Sequence, residues 1–397
     1  MLDCGSRLIP GLYETERCFY GALTTDIREI LREHKADPNK FDHLGQNMQG
    51  LRDLMLHTDF TLTVSEEGEG ARKTKDFHLH RFVLSMRSSW FSERFAGVWK
   101  GANEAVIVCS ESNIMPSVAV ASALLDFLYT SKVDVDEVNA SKLADSLETL
   151  NFAHMASAIR KELNSKDREL RSIVLKPDNE RLRLTQELDV AFSYYHGSPI
   201  EITSKSVPEE AWHDICLEVE DTEAVSHRYA CHRALLCQHS AYFNAMISGH
   251  FREASLLRQS QQQDQQTLPV LRLVSISNPR LLRVAIRFLY TNSLKEELDV
   301  EDTIQLLLLC DQLLLMELKR LCAVRLRRSI DSSNAFAILR LGDTFGIRLL
   351  RQAALDYLER NIAAMHTMKE FEEALEELPL DIVNELKLYV QDKLDPE

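Results

Sequence analysis

The chain has 397 residues, 45% of them hydrophobic, enough for two or three domains with a core each, which excludes a disordered protein. Its 46 basic against 61 acidic residues leave a net charge of −15, a field that repels phosphate backbones and anionic lipid headgroups and so argues against nucleic acid or membrane as a general partner. The eight cysteines form no CxxC pair, which fits the reduced thiols of a cytosolic or nuclear protein and not a secreted disulfide framework.

The opening residues, MLDCGSRLIPGLYETERC, lack a basic start followed by an apolar run. The most apolar segment, IQLLLLCDQLLLMEL, is broken by Asp311 and Gln312, so no exported or membrane-spanning segment is expected. A repeat follows. DFTLTV from Asp59 and DICLEV from Asp214 alternate apolar and polar residues, the period of a half-buried strand. Each leads to a second strand and a His-Arg segment, FHLHRFVLSMRSSWF from Phe77 and YACHRALLCQHSAYF from Tyr229. Both segments carry apolar residues at helical spacing and end in an aromatic pair, Trp90-Phe91 and Tyr242-Phe243. A short strand comes next, AVIVC or VLRLV, then a helix closing on LLDFLYT or AIRFLYT. The order strand, strand, helix, helix, strand, helix thus occurs twice, at a period too long for a solenoid, which makes it a duplicated domain over Gly50–Leu163 and Pro208–Leu326.

Between the copies, Asn164–Val207 mixes charge runs (KDRELR, KPDNERLR) with an amphipathic piece, LRLTQELDVAFSYY, and reads as an ordered connector rather than a Gly/Ser tether. LLRQSQQQDQQTLP from Leu256 reads as a mobile polar surface loop. After Leu326 the pattern is wholly helical: SNAFAILRLGDTFGIRLLRQAALDYLERNIAAM offers Ser333 or Asn334 as an N-cap, and Pro379 opens a fresh helix in the tail. These helices are expected to pack behind the second copy. The fold class is α+β, mostly helical: two α/β domains and an all-α C-terminal region.

The leading Asp, the His-Arg pair, the aromatic pair and the closing FLYT resemble the BTB/POZ family. The segment from Asp331 onward is similar to the helical BACK extension that follows such domains. Two copies preceded by ETERCFYGALTTDIREILREHK from Glu14 resemble the group of ankyrin repeat and BTB/POZ domain-containing proteins, with RCFYGAL as the tail of an ankyrin array. Only about one repeat's worth of residues precedes the first copy, too few for a stable array, so a truncated or alternative product is expected. The resemblance implies an ankyrin-like remnant over 1–49, BTB/POZ domains over 50–163 and 208–326 with the connector 164–207 between them, and a BACK-like region over 327–397.

His78 and His80 lie two apart, and Cys231, His232, Cys237 and His239 are close in sequence, which raises a zinc site. Cys231, Cys237 and His239 fall opposite Leu79, Ser85 and Arg87 in the first copy, so only His80 and His232 are shared. A single shared imidazole cannot hold a metal, and a structural histidine at a helix start is the expected reading, with no metal and no cofactor. No GxSxG, P-loop, GxGxxG or HExxH occurs, so no catalysis is expected.

Asp59 with Arg81, and Asp214 with Arg233, recur in both copies. The resemblance implies a charged pocket near a dimer face, where a carboxylate and a guanidinium together tolerate burial that neither would alone. Unrelated surface charges are the competing reading. In HFREAS from His250 the resemblance makes Phe251 and Glu253 a cullin-docking pair, an apolar anchor beside a charged rim. The rival is that Phe251 closes its own domain core. The first copy has Trp99 but Gly101 where the Glu should fall.

The expected function is that of a non-enzymatic adaptor, a substrate-recruiting subunit of a cullin-3 RING ubiquitin ligase in the cytoplasm or nucleus. Its partners would be a cullin-3 scaffold and an unknown protein substrate. The copies would pair within one chain or form a homodimer. The alternative is a BTB scaffold joining proteins in translation or transcription complexes without a cullin.

Overall fold

The computed structural model describes residues 43–67, 72–164, 172–176, 178–196, 212–249, 251–255, 257, 268–365 and 383–384. Most of the expected ankyrin-like remnant, the helix start at Pro379 and most of the polar loop after Leu256 lie outside the described residues. The chain divides into two compact units, Asp42–Ser293 and one that takes in Leu294–Glu397.

The first unit opens with α1 (His43–Leu54), followed by β1 (Phe60–Glu67), β2 (Arg72–Leu79), α2 (Arg81–Arg87), α3 (Ser89–Ala96), β3 (Glu104–Val108) and α4 (Val118–Thr130). β1 is the centre of a three-stranded sheet, antiparallel to β2 with Leu62 opposite Phe77, and parallel to β3 with Leu62 opposite Ala105. Its alternation buries Phe60, Leu62 and Val64, as a strand with one face on a core requires. The FLYT helix α4 is the core of the copy, with Leu124, Leu125, Phe127, Leu128 and Tyr129 all buried. Ser117 caps its start by accepting from the amide of Val120, and Ser131 ends it in the left-handed region.

β4 (Val133–Asp136), α5 (Glu137–Thr149), α6 (Ala153–Leu163), β5 (Ser172–Leu175) and α7 (Asp178–His196) come next. The same order of elements then returns as β6 (Ile215–Glu220), β7 (Ser226–Cys231), α8 (Arg233–His239), α9 (Ala241–Ser248), β8 (Val270–Arg272) and α10 (Pro279–Thr291). The sheet β7-β6-β8 repeats the first, with Leu217 opposite Tyr229 and Leu271. β6 departs from the expected half-burial. Glu218 on its outer face is buried because Ser226, Arg228 and Arg272 close over the carboxylate at 2.7, 3.1 and 2.8 Å.

The connector does more than span a gap. β5 pairs antiparallel with β4 of the first copy, and α7 lays Leu184, Leu188 and Phe192 into buried positions. α7 packs on the long helix α10 of the second copy and on α2 of the first, while α1 packs on α4 of the first copy and on α8 of the second. Each copy is thus preceded by a helix that covers its own long helix and also reaches the other copy. Ion pairs hold both covers: Arg52 of α1 to Asp126 of α4 at 3.1 Å, and Asp189 of α7 to Arg287 of α10 at 2.8 Å.

In the second unit, α11 (Val300–Gln312) and α12 (Met316–Arg328) form a hairpin built like α5 and α6. Asp299 caps α11 as Asp136 caps α5, and the turns carry left-handed residues at Leu314 and Asn151. α13 (Ala335–Thr344) and α14 (Arg348–Met365) follow, with Gly342 against the Arg351 backbone, where a Cβ would stand 2.5 Å from the Arg351 nitrogen. Asn334, one of the two expected caps, stands at the N-cap of α13, but its side chain makes no capping bond. Asp331 accepts from the amides of Ser333 and Asn334, and the Asn334 side chain donates to the Ser329 carbonyl. The architecture is the mostly helical α+β class expected from the sequence.

Candidate functional site

The shared residues of the two His-Arg segments form one repeated lock. In the first copy the Tyr129 hydroxyl lies 2.9 Å from His80 Nδ1 and accepts from the His80 amide at 2.8 Å; His80 Nε2 meets the Leu56 carbonyl at 2.7 Å. In the second copy the Tyr290 hydroxyl lies 2.7 Å from His232 Nδ1 and also receives the His232 amide. Burial holds the pKa of His80 down at about 4 and pushes that of Tyr129 up. The tyrosine of FLYT is therefore the partner that the repeated histidine needs, fixing α2 or α8 against the long helix.

Asp59 and Asp214 stand immediately ahead of β1 and β6, next to this lock. Asp59 Oδ1 accepts from the Arg81 amide at 2.8 Å, and Asp214 Oδ1 from the Arg233 amide at 2.7 Å. The recurrent Asp-Arg pair thus joins carboxylate to backbone at a helix start, where the dipole favours a negative group. The Arg81 guanidinium instead reaches the Ala102 carbonyl and stacks over the Trp212 ring at 4.9 Å. Arg233 keeps Nε and Nη2 buried with no hydrogen-bond partner. Burial raises the pKa of Asp59 and raises that of Asp214 to about 7 against the pull of Arg233, with the charge of Asp59 adding to the shift.

These groups lie where the copies meet. Phe82 stacks on His232 with centroids 4.1 Å apart. Trp212, just ahead of β6, donates from Nε1 to Ser85 Oγ at 3.1 Å and packs edge-on against Phe95. His57, the residue at the same place ahead of β1, reaches Ser248 Oγ at 3.0 Å and Cys237 Sγ at 3.4 Å. Both hold positive φ, 54° and 58°, which turns each side chain across to the other copy.

The loops after α3 and α9 differ. Trp99 is folded into a cluster with Phe60, Trp90, Phe91 and Phe95, with ring centroids 5.5–6.3 Å away, and Gly101 follows in the left-handed region. Phe251 is 55% exposed, which disagrees with its reading as a core residue, and Glu253 beside it is half-buried.

The sulfur and imidazole groups raised for zinc do not converge. His78 bonds Thr61 on an exposed face, Cys231 is buried at the end of β7, and His239 meets Asn47 of α1 at 3.4 Å. Among the described residues, no three His, Cys, Asp or Glu side chains are grouped to hold a metal.

Two contributors escaped sequence reasoning. Tyr129 and Tyr290 carry a signal, since FLYT recurs after each of the two repeated His-Arg segments. Arg87 carries none: a helix-end arginine looks solvated, yet it is 2% exposed and binds Glu187 of α7 at 2.5 Å, the Leu128 carbonyl and Ser131 Oγ.

Comparison with known proteins agrees with this geometry. The BTB/POZ domain family matches residues 48–167 and 204–330. BTB/POZ domain-containing protein 3 of Schizosaccharomyces pombe is 26% identical over 388 residues, 95% of this chain and 67% of that protein. An ankyrin repeat-containing protein of Saccharomyces cerevisiae is 22% identical over 91% of this chain and 71% of its own length. The inhibitor of Bruton tyrosine kinase of Mus musculus is 24% identical over 53% of this chain, which spans only 14% of that relative. With more than half of its residues inside the family match, the chain belongs to the BTB/POZ domain family, and its role is that of an adaptor that joins proteins.

Proposed function

We propose that this chain is a non-enzymatic, substrate-recruiting subunit of a cullin-3 RING ubiquitin ligase, and that the second copy carries the cullin contact through Phe251 and Glu253. The observation that carries the reading is the difference between equivalent loops: Phe251 stands 55% exposed with Glu253 two residues on, whereas Trp99 is packed inward and Gly101 offers no carboxylate. An exposed phenylalanine already costs the free protein some solvation, so burying it in a partner's apolar pocket yields binding energy without unfolding anything. Glu253 at the rim would orient the encounter and accept hydrogen bonds from cationic donors.

On this reading the paired copies form the platform, α13 and α14 the BACK-like spacer, and the substrate is read by another part of the protein. The adaptor performs no chemistry itself, and it works in the cytosol or nucleus. The alternative is a BTB scaffold that joins proteins in translation or transcription complexes without a cullin; one relative, of which this chain spans 14%, is named an inhibitor of a tyrosine kinase.

Affinity capture separates the two. Wild-type chain should retain cullin-3, and Phe251→Ala with Glu253→Ala should weaken retention by at least about thirtyfold, the loss expected for a buried aromatic anchor. Undiminished capture by the double variant would remove the docking assignment to Phe251 and Glu253, and no capture by wild type would remove the cullin reading.

A further inference from the structure

The contacts between the two copies are equivalent in position and different in chemistry. At the end of α2 the first copy offers Arg87, and α7 meets it with Glu187 at 2.5 Å. At the end of α8 the second copy offers His239, and α1 meets it with Asn47 at 3.4 Å. α1 brings no carboxylate to that face. Its one acidic residue, Asp53, is exposed and accepts from Gln49 at 2.9 Å. Gly50 of α1 instead lies under Gln238, where a Cβ would stand 2.2 Å from the amide nitrogen.

The second crossing is unequal too. Trp212 enters the first copy beside Ser85, Phe95 and Arg81. His57 enters the second copy beside Cys237 and Ser248.

We propose that these unequal contacts are a pairing code: Arg87–Glu187 and Trp212 in one direction, Asn47–His239 and His57 in the other, restrict association to one copy of each kind, so the chain closes on itself. Two first copies brought together would set Arg87, which is 2% exposed, against α1 with no carboxylate to receive it, and an unpaired buried charge is among the most destabilising groups in a protein. Two second copies would require an indole to fill the place that His57 fills, beside Cys237 and Ser248, and overpacking of that size opens an interface. The inference extends the reading of the chain as a self-paired adaptor and draws nothing from cullin docking.

The test uses the full chain with a specific protease site inserted between β5 and α7, so that β5 stays paired with β4 in the N-terminal part, and cleaved after folding so that the two parts are no longer tethered at high effective concentration. Chains carrying either of two tags on the N-terminal part are nicked, mixed, allowed to exchange and captured through one tag. The captured part should bring down the C-terminal part in stoichiometric amount and the differently tagged N-terminal part only at background. Glu187→Gln, a change outside the N-terminal part and therefore without effect on its folding, should loosen the two parts by on the order of a hundredfold. Recovery of N-terminal part by N-terminal part in comparable amount would overturn the code, as would unchanged retention in Glu187→Gln. Cullin is absent from the assay, so failure of the docking proposal leaves this result untouched.

Discussion

In the first copy the loop after α3 turns its aromatic residue inward, and Trp99 completes a cluster with Phe60, Phe91 and Phe95. In the second copy the equivalent loop after α9 leaves Phe251 in solvent. The backbones and the His–Tyr locks are otherwise alike, with 2.9 and 2.7 Å between imidazole and phenol. Duplication has kept what holds each copy together and changed what each copy meets. The same division appears at the junction, where Arg87 faces Glu187 on one side and His239 faces Asn47 on the other.

Truncating the two aromatics should separate the two loops by the largest margin. Trp99→Ala should destabilise the protein by about 2–3 kcal/mol, because it empties part of a packed cluster. Phe251→Ala should change stability by less than about 0.5 kcal/mol, as expected of an exposed side chain. Urea unfolding followed by circular dichroism measures both, and equal losses would mean that Phe251 is as much a core residue as Trp99.

A smaller effect sharpens the shared part. Tyr129→Phe and Tyr290→Phe each leave a buried histidine nitrogen and a backbone amide without the phenolic oxygen, so each should lose about 1–2 kcal/mol. The two losses should be similar, since the lock is the same in both copies. A loss in only one would show that the locks carry unequal weight.

Much of the fold was legible because it rests on local rules. Strand alternation in DFTLTV, helical spacing after HR and the capping residues before each long helix are all read within a few positions of themselves. What escaped depends on distant partners. Nothing in the sequence around Arg87 announces Glu187, because the pairing exists only once α7 has been laid between the copies. LRLTQELDVAFSYY shows that a helix is amphipathic but not which two surfaces it will cover. The Asp-Arg recurrence was visible, whereas the fact that Asp59 and Asp214 bind the arginine amides depends on how each helix begins. Glu218 looked like an outward residue of an alternating strand until Arg228 and Arg272 closed over it.

Hydrogen exchange of the full chain with and without purified cullin-3 tests the proposal that only the second copy docks a cullin. Exchange should slow in peptides covering 251–255 on adding cullin-3 and stay unchanged in those covering 99–103. Protection of 99–103 instead, or binding with neither loop protected, would contradict the proposal.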